Sequence, residues 1–356
     1  MYYRQYYLNC GGCSSAGRAL GCGPSGRGFK PRHSPHLPFH GYSIKNQFAV
    51  SGLITYYYLM SIQENTPEAW IKILPAAKAN DHKYTRGQVA VLGGDEMTGA
   101  ACLVADAAAR CGAGLVTLIA QKRSLLQIFN PNVIDPLPIY RSFRPYIIAR
   151  RDYNIEKAQK KGRVACVIGP GLGDNAYMQV REIILDVLGK GENTPIVIDA
   201  DGLNAFIGEN ENKILCHALH EHSVLTPHEG EFKKFFPHLV NTVQEDRYEA
   251  VSQAARLLAG GVLVLKGHET LIAQYKDGAE RVLVNKVSSP YLATAGSGDV
   301  LSGLIAGLMA QGMPGFEAAA ASVWMHGRAS QNIGSGLVAQ DLVKNIPIVL
   351  KEMLGI

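Results

Sequence analysis

From His82 onward the chain alternates between short, continuous apolar runs and longer stretches with helical spacing. Gln88–Leu92 (QVAVL) is one such run, and it stops at Gly93-Gly94, as a strand does when it ends in a turn. Gly99–Cys111 (GAACLVADAAARC) is small and apolar throughout, which predicts a helix lying close against a sheet. Strand character returns at Gly114–Ala120, Val164–Ile168, Pro195–Asp199, Val224–Thr226 and Val262–Lys266, with helical stretches such as Met178–Leu188 and Tyr248–Ala259 between. Strands that are apolar on both faces and alternate with helices predict an α/β fold, a central, mostly parallel sheet with helices on both faces. Gly298–Gln331, dominated by Ala, Gly and Leu, predicts tightly packed helices. No repeat of solenoid period is visible.

The first sixty residues break this pattern. Arg4, Arg18, Arg27, Lys30, Arg32 and Lys45 all precede Glu64, the first acidic residue, and the Gly-, Ser-, Arg- and Pro-rich stretch has no usable periodicity. Such a composition predicts a disordered leader over residues 1–59, with the folded domain spanning 60–356. An acid-poor, Arg- and Ser-rich leader fits an organelle transit peptide. It fits better an over-extended gene model, with the natural start at Met60, because the segment resembles a transfer-RNA gene translated by mistake. Phe48–Met60 is apolar but too short to cross a bilayer. The chain as a whole has 356 residues, 47% hydrophobic and 18% charged, and a formal net charge of +5, an ordinary globular composition that does not argue for nucleic acid or membrane. Of seven cysteines, Cys10, Cys13 and Cys22 form a weak, three-ligand zinc set in the leader. Cys102, Cys111, Cys166 and Cys216 sit in apolar surroundings, as buried thiols do in a reducing cytoplasm.

In a doubly covered parallel sheet, ligands bind beyond the carboxyl ends of the strands. Polar and glycine-rich motifs stand at several such ends. VIGPGLG places Gly169, Gly171 and Gly173 after a strand, either as a plain connection or as backbone that approaches a ligand. VIDADGLN places Asp199 and Asp201 after another; Asp201 suits a helix cap, and Asp199 suits magnesium held through water. TPHEGE sets His228 at the rim, with Glu231 positioned to complete a cap or reach a metal. KGHET puts Lys266 at a strand end as a point charge for phosphate oxygens. In PYLATAGSGDVLSGL the loop Ala295-Gly296-Ser297-Gly298 runs into Asp299 and a helix. Its N–H groups and the positive helix end suit an anion, while the acid suits removal of a proton from a hydroxyl. The plainer alternative is a glycine turn capped by Asp299.

Taken in order, GA…GPGLG…DADGLN…TPHEGEF…LKGHET…AGSGDVLSG…HG resembles the ADP/ATP-dependent NAD(P)H-hydrate dehydratases of the ribokinase-like superfamily, from about His82 to Leu350. The resemblance implies a ribokinase-like fold and repair of hydrated NADH and NADPH: the ring hydroxyl is phosphorylated by ADP or ATP, and phosphate then leaves. It implies that Ala100, Gly171, His228 and Asp299 line the NAD(P)H-hydrate site, and that Lys266, Gly267, His268, Glu269, Thr270 and Gly298 bind the nucleotide. Asp299 is then the base, Ala295–Gly298 the anion hole, and Asp199 and Glu231 candidate magnesium ligands. Ser297 replaces the Thr common in this loop and keeps its hydroxyl, whereas His268-Glu269 depart from the small residues usual there. A homotetramer is implied, and no epimerase activity is expected, because the leader stands where relatives carry that domain. Two further readings remain: a ribokinase-like kinase for a vitamin precursor of the hydroxymethylpyrimidine or hydroxyethylthiazole type, and a silent nucleotide-binding protein.

Overall fold

The computed structural model describes residues 62–121, 135–173, 177–190 and 193–355. The expected leader, its three cysteines and the Phe48–Met60 run lie outside these residues. Ten strands make one sheet: β1 (Ile62–Glu64), β2 (Gln88–Gly93), β3 (Leu115–Ala120), β4 (Ile147–Arg150), β5 (Val164–Ile168), β6 (Ile196–Ile198), β7 (Ser223–Leu225), β8 (Val262–Leu265), β9 (Thr270–Lys276) and β10 (Ala279–Asn285). Their order across the sheet is β1-β10-β9-β8-β7-β6-β5-β2-β3-β4. Only β9 runs against its neighbours, pairing antiparallel with both β8 and β10. The other pairs are parallel, so the expected mostly parallel α/β sheet is what forms.

The continuous apolar runs reflect burial on both faces. Val89, Val91, Val116, Leu118, Val167 and Val197 point into one core, shared with the helices Thr98–Arg110, Ser297–Ala310, Gly315–Ile333 and Ala339–Leu354. Ala90, Leu92, Cys166, Ile168, Ile196 and Ile198 point into the other, against Tyr177–Gly189, Glu229–Phe235 and Arg247–Ala255. Each fully buried Val, Leu or Ile contributes roughly 1.5–3 kcal/mol of transfer free energy, so a one-residue register slip exchanges two whole cores and is strongly disfavoured. The small residues expected after Gly298 do pack tightly: a Cβ built on Gly303 would stand 2.3 Å from the Val104 carbonyl oxygen. That close crossing presses the Ser297–Ala310 helix onto Thr98–Arg110 and sets the height of the loop before it. Cys102, Cys111, Cys166 and Cys216 are buried free thiols, and burial pushes each well above the ordinary thiol range.

The two ends of the sheet differ in charge. Near the amino ends of β2, β3 and β5 lie two cavities, one of about 270 Å³ and one of about 460 Å³. The first is lined by Lys83, Arg150, Lys157 and Lys161, the second by Lys72, Lys78, Arg86 and Arg163. The carboxyl ends gather acids instead. Among the described residues no helix is long and apolar enough to cross a membrane.

Candidate active site

Parallel pairing of β6, β7 and β8 delivers the residues that follow them to one rim. Asp199 follows β6, and Lys266 follows β8. The Lys266 backbone N–H donates to the Pro227 carbonyl at 2.9 Å, which carries the β7–β8 pairing one step further and aligns Lys266 with His228. The Lys266 ammonium lies 3.0 Å from Asp199 Oδ1 and 3.9 Å from Glu231 Oε2. Burial works to lower the Lys266 pKa, but the carboxylates of Asp199, Glu231 and Asp299 outweigh it and hold the ammonium above its ordinary value. Lys266 therefore stays charged. The other oxygen of the buried Asp199, Oδ2, accepts from the Ser302 hydroxyl at 2.7 Å. Ala200, next in the chain, holds φ at +46° and donates its N–H to Asp199 Oδ1 at 3.0 Å. A non-glycine residue there is strained, and the surrounding bonds keep it so.

Asp299 enters the same cluster from the opposite side, on the first turn of the Ser297–Ala310 helix. Burial pushes its carboxyl up to about 7, the neighbouring Asp199 charge adds to the push, and Lys266 opposes it. Gly296, at φ +84°, starts this helix with no side chain capping it. The Ser297 hydroxyl is turned away and donates to the Leu292 carbonyl at 2.8 Å. Asp299 is thus no cap, and the first-turn N–H groups of Gly298 and Asp299 have no acceptor within the helix. Such first-turn N–H groups suit an anion.

The remaining expected residues approach this rim from neighbouring strand ends. Leu103 packs so close that a Cβ on Gly296 would stand 2.5 Å from its Cδ1, and Ala100 lies one turn earlier on the same helix. Met97, just before that helix, donates its N–H to the Gly171 carbonyl at 3.4 Å, which joins Ala100 to the GPGLG turn. Asp201 does not cap its helix; it accepts from the Gly173 N–H at 2.9 Å and steadies that turn. His228 and Glu231 form a reciprocal cap: the His228 N–H donates to Glu231 Oε2 at 2.8 Å, and the Glu231 N–H donates to His228 Nδ1 at 3.2 Å. Nδ1 accepts, Nε2 lies 3.6 Å from Glu231 Oε1, and the His228 side chain is 60% exposed to whatever occupies the rim.

Lys266–Thr270 form the turn between β8 and β9, with Gly267 and His268 exposed. Arg247, which sequence reasoning missed, grips this turn from below: it donates to the Glu269 carbonyl at 2.9 Å and the Lys266 carbonyl at 3.3 Å. The Tyr248 hydroxyl donates to Glu269 Oε2 at 3.0 Å. Both follow Asp246, whose side chain caps their helix, and that Asp-Arg pair at a helix start was the only local signal. Asp199 and Glu231, expected as magnesium ligands, do come together, but around the Lys266 ammonium. Among the described residues no three His, Cys, Asp or Glu side chains cluster as a metal cage. Two carboxylates suit an ion already carried by phosphate oxygens, not one held by the protein alone.

The mostly parallel sheet with helices on both faces is a ribokinase-like fold. The fold matches a ribokinase-like superfamily protein from Enterococcus faecalis at TM-score 0.66, with 22% identity, over 82% of this chain and 96% of that one. Residues 89–347 match the Carb_kinase family, described as NAD(P)H-hydrate dehydratase, and the chain belongs to that family. It is 35% identical to the ADP-dependent (S)-NAD(P)H-hydrate dehydratase of Neisseria meningitidis over 75% of this chain and 86% of that protein. It also matches the ADP/ATP-dependent NAD(P)H-hydrate dehydratase of Bacillus subtilis, co-crystallized with ATP/Mg2+, at TM-score 0.63 and 26% identity, over 83% and 99% of the two chains. The chain spans about half the length of the bifunctional NAD(P)H-hydrate repair enzymes it matches, 53% for that of Moorella thermoacetica.

Proposed function

We propose that the protein dehydrates the S form of NAD(P)H hydrate, using ADP or ATP as phosphoryl donor. The observation that carries this reading is Asp299, a carboxyl pushed up to about 7 at the start of an uncapped helix. In this reading Asp299 accepts the proton of the ring hydroxyl while that oxygen attacks the terminal phosphorus of the nucleotide. AMP leaves from ADP, or ADP from ATP; the ring C–O bond then breaks with its electron pair leaving on phosphate, the neighbouring ring carbon loses a proton to water, and the reduced nicotinamide is restored. The N–H groups of Gly298 and Asp299 stabilise the charge of the transferred group, within the Ala295–Gly298 anion hole. Lys266 exchanges one carboxylate partner for a phosphate oxygen, and Gly267, His268, Glu269 and Thr270 carry the rest of the nucleotide on the turn that Arg247 braces. The exposed His228 ring and the backbone at Ala100 and Gly171 face the hydrate. Magnesium carried by the nucleotide would supply charge neutralisation, and Asp199 and Glu231 are the carboxylates that would meet it. A homotetramer in a reducing cytoplasm completes the reading, and the buried free thiols are consistent with that compartment.

The test is recovery of reduced-nicotinamide absorbance from hydrated NADH with magnesium and either ADP or ATP, together with phosphate release. Asp299→Asn is expected to lose about 10²–10⁴-fold in turnover, the usual share of a general base, while nucleotide affinity changes by no more than about threefold. A phosphorylated product with no return of absorbance would replace the dehydratase by a small-molecule kinase.

A further inference from the structure

The cavity of about 270 Å³ near the amino ends of β2 and β3 lies at the opposite end of the sheet from Lys266 and Asp299, and the reaction proposed above does not use it. Its floor follows from strand register. Gln88 pairs with Leu115 and Thr117 with Ile148, so these side chains and that of Arg150, two residues beyond Ile148, share one face of the sheet. Gln88 also braces the wall: its side-chain amide donates to the Ala158 carbonyl at 2.9 Å and to the Gly162 carbonyl at 3.2 Å. Those bonds fix the end of the short Ile155–Gln159 helix, flanked by Lys157 and Lys161, against the base of β2. A second close approach brings in the segment before β2, since a Cβ on Gly162 would stand 2.3 Å from the Tyr84 carbonyl oxygen. Lys83 and Lys161 both reach the Tyr84 ring in consequence, with their ammonium nitrogens 5.2 Å and 5.5 Å from its centroid.

Charge in this space has no counterpart. Lys83, Arg150, Lys157 and Lys161 line it, no Asp or Glu does, and none of the four forms an ion pair among the described residues. Basic side chains elsewhere do find acids: Lys190 lies 2.9 Å from Asp186, and Arg328 lies 3.1 Å from Glu352. Like charges crowded together repel, and the Tyr84 ring offsets this only in part. An anion in the cavity removes the cost, and the Tyr153 hydroxyl, which bonds to no described residue, adds a neutral donor on the same lining. Size narrows the ligand. At about 30 Å³ for each water-sized group, 270 Å³ holds roughly nine such groups, the bulk of a diphosphate and less than a whole nucleotide. Cations that converge on a recess, and are not strung along a stripe, suit a compact polyanion better than a nucleic-acid strand.

We propose that this cavity is a second anion site, taking a diphosphate group between Lys83, Arg150, Lys157 and Lys161 on the floor that Gln88 braces. It is separate from the rim and does not depend on the activity proposed there. The probe is inorganic pyrophosphate without magnesium, added to the full chain and followed by thermal melting and titration calorimetry. At about tenfold excess over its dissociation constant it should raise the melting temperature by about 2–5 °C, and sodium chloride of equal ionic strength should not. An equal rise with chloride would reduce the effect to screening and end the site. Because the rim also suits anions, the deciding variant is Lys83→Gln combined with Lys161→Gln, both at exposed positions. It should melt within about 2 °C of wild type without ligand, and should lose one class of pyrophosphate binding by at least about tenfold in affinity. Equal binding by wild type and variant would place all the pyrophosphate at the rim and overturn the proposal. A variant that changes sedimentation would assign these lysines to contact between copies of the chain, with the same consequence. ADP in place of pyrophosphate tells where the group comes from: the same loss for ADP points to a nucleotide, and loss for pyrophosphate alone to the free anion.

Discussion

Asp299 shows how one residue links chemistry to stability. Its carboxyl sits near 7 in the folded chain against an ordinary 3.8. In the proposed reaction Asp299 is protonated, and idle as a base, below that value, so kcat/KM should rise about tenfold per pH unit up to a midpoint near 7 and then level off. Between about pH 4 and 7 the folded state holds this proton more tightly than the unfolded state does, so stability falls as pH rises through that window. Asp299→Asn removes the strain of the buried charge; thermal melts should show it gaining over wild type at pH 8 and hardly at pH 4. Equal gains at both would place the raised value elsewhere. The structure brings Asp299, Lys266 and His228 to one rim, and the sequence had singled out the motifs that hold them, Lys266 and His228 after strands and Asp299 at a helix start. Ser302 was not legible, because its bond to Asp199 spans 103 residues and only the packed fold brings the two together.

At the level of elements, the central strands were legible from continuous burial, and β5 was read to the residue as Val164–Ile168. The outer strands β1, β4 and β10 carry exposed or half-buried positions, as in the charged start of Ala279–Asn285, and this weakened the signal. The Ser297–Ala310 helix was recognisable by composition, but whether Asp299 caps it was not, because capping depends on where the turn before it points. Gly296 decides that direction. Replacing it by Ala should cost about 1–3 kcal/mol through left-handed strain alone, and the Leu103 methyl in its path adds to this. Calorimetry should show a fall of several degrees, with turnover lost in step as the Asp299 N–H groups swing out of line. A melting temperature equal to wild type would mean the turn relaxes freely.

Over the whole molecule, charge is sorted in a way that totals conceal. Six of the 35 basic residues and none of the 30 acidic ones precede Glu64, so the rest of the chain is close to neutral. Yet eight Lys and Arg side chains line the cavities near the amino ends of the strands, while Asp199, Glu231 and Asp299 surround one lysine at the other. Three carboxylates around one ammonium leave a net negative rim, which favours a nucleotide arriving with its cation over bare phosphate.

The reversal of β9 divides that rim by how it comes into being. Lys266–Thr270 is closed by two strands adjacent in the chain, and hairpins of this kind form within microseconds. Asp199 and Gly169 instead wait for helical crossovers and the whole parallel sheet. The Lys266–Thr270 turn is thus closed locally, whereas the opposite wall exists only when everything else does. In native-state hydrogen exchange the Gly267–Glu269 amides should open at low denaturant independently of the fold, and the Asp199 amide, bonded to the Ile168 carbonyl, only on global unfolding. If the proposed function holds, such an assembly could loosen its grip on a spent nucleotide without disturbing the opposite wall of the rim.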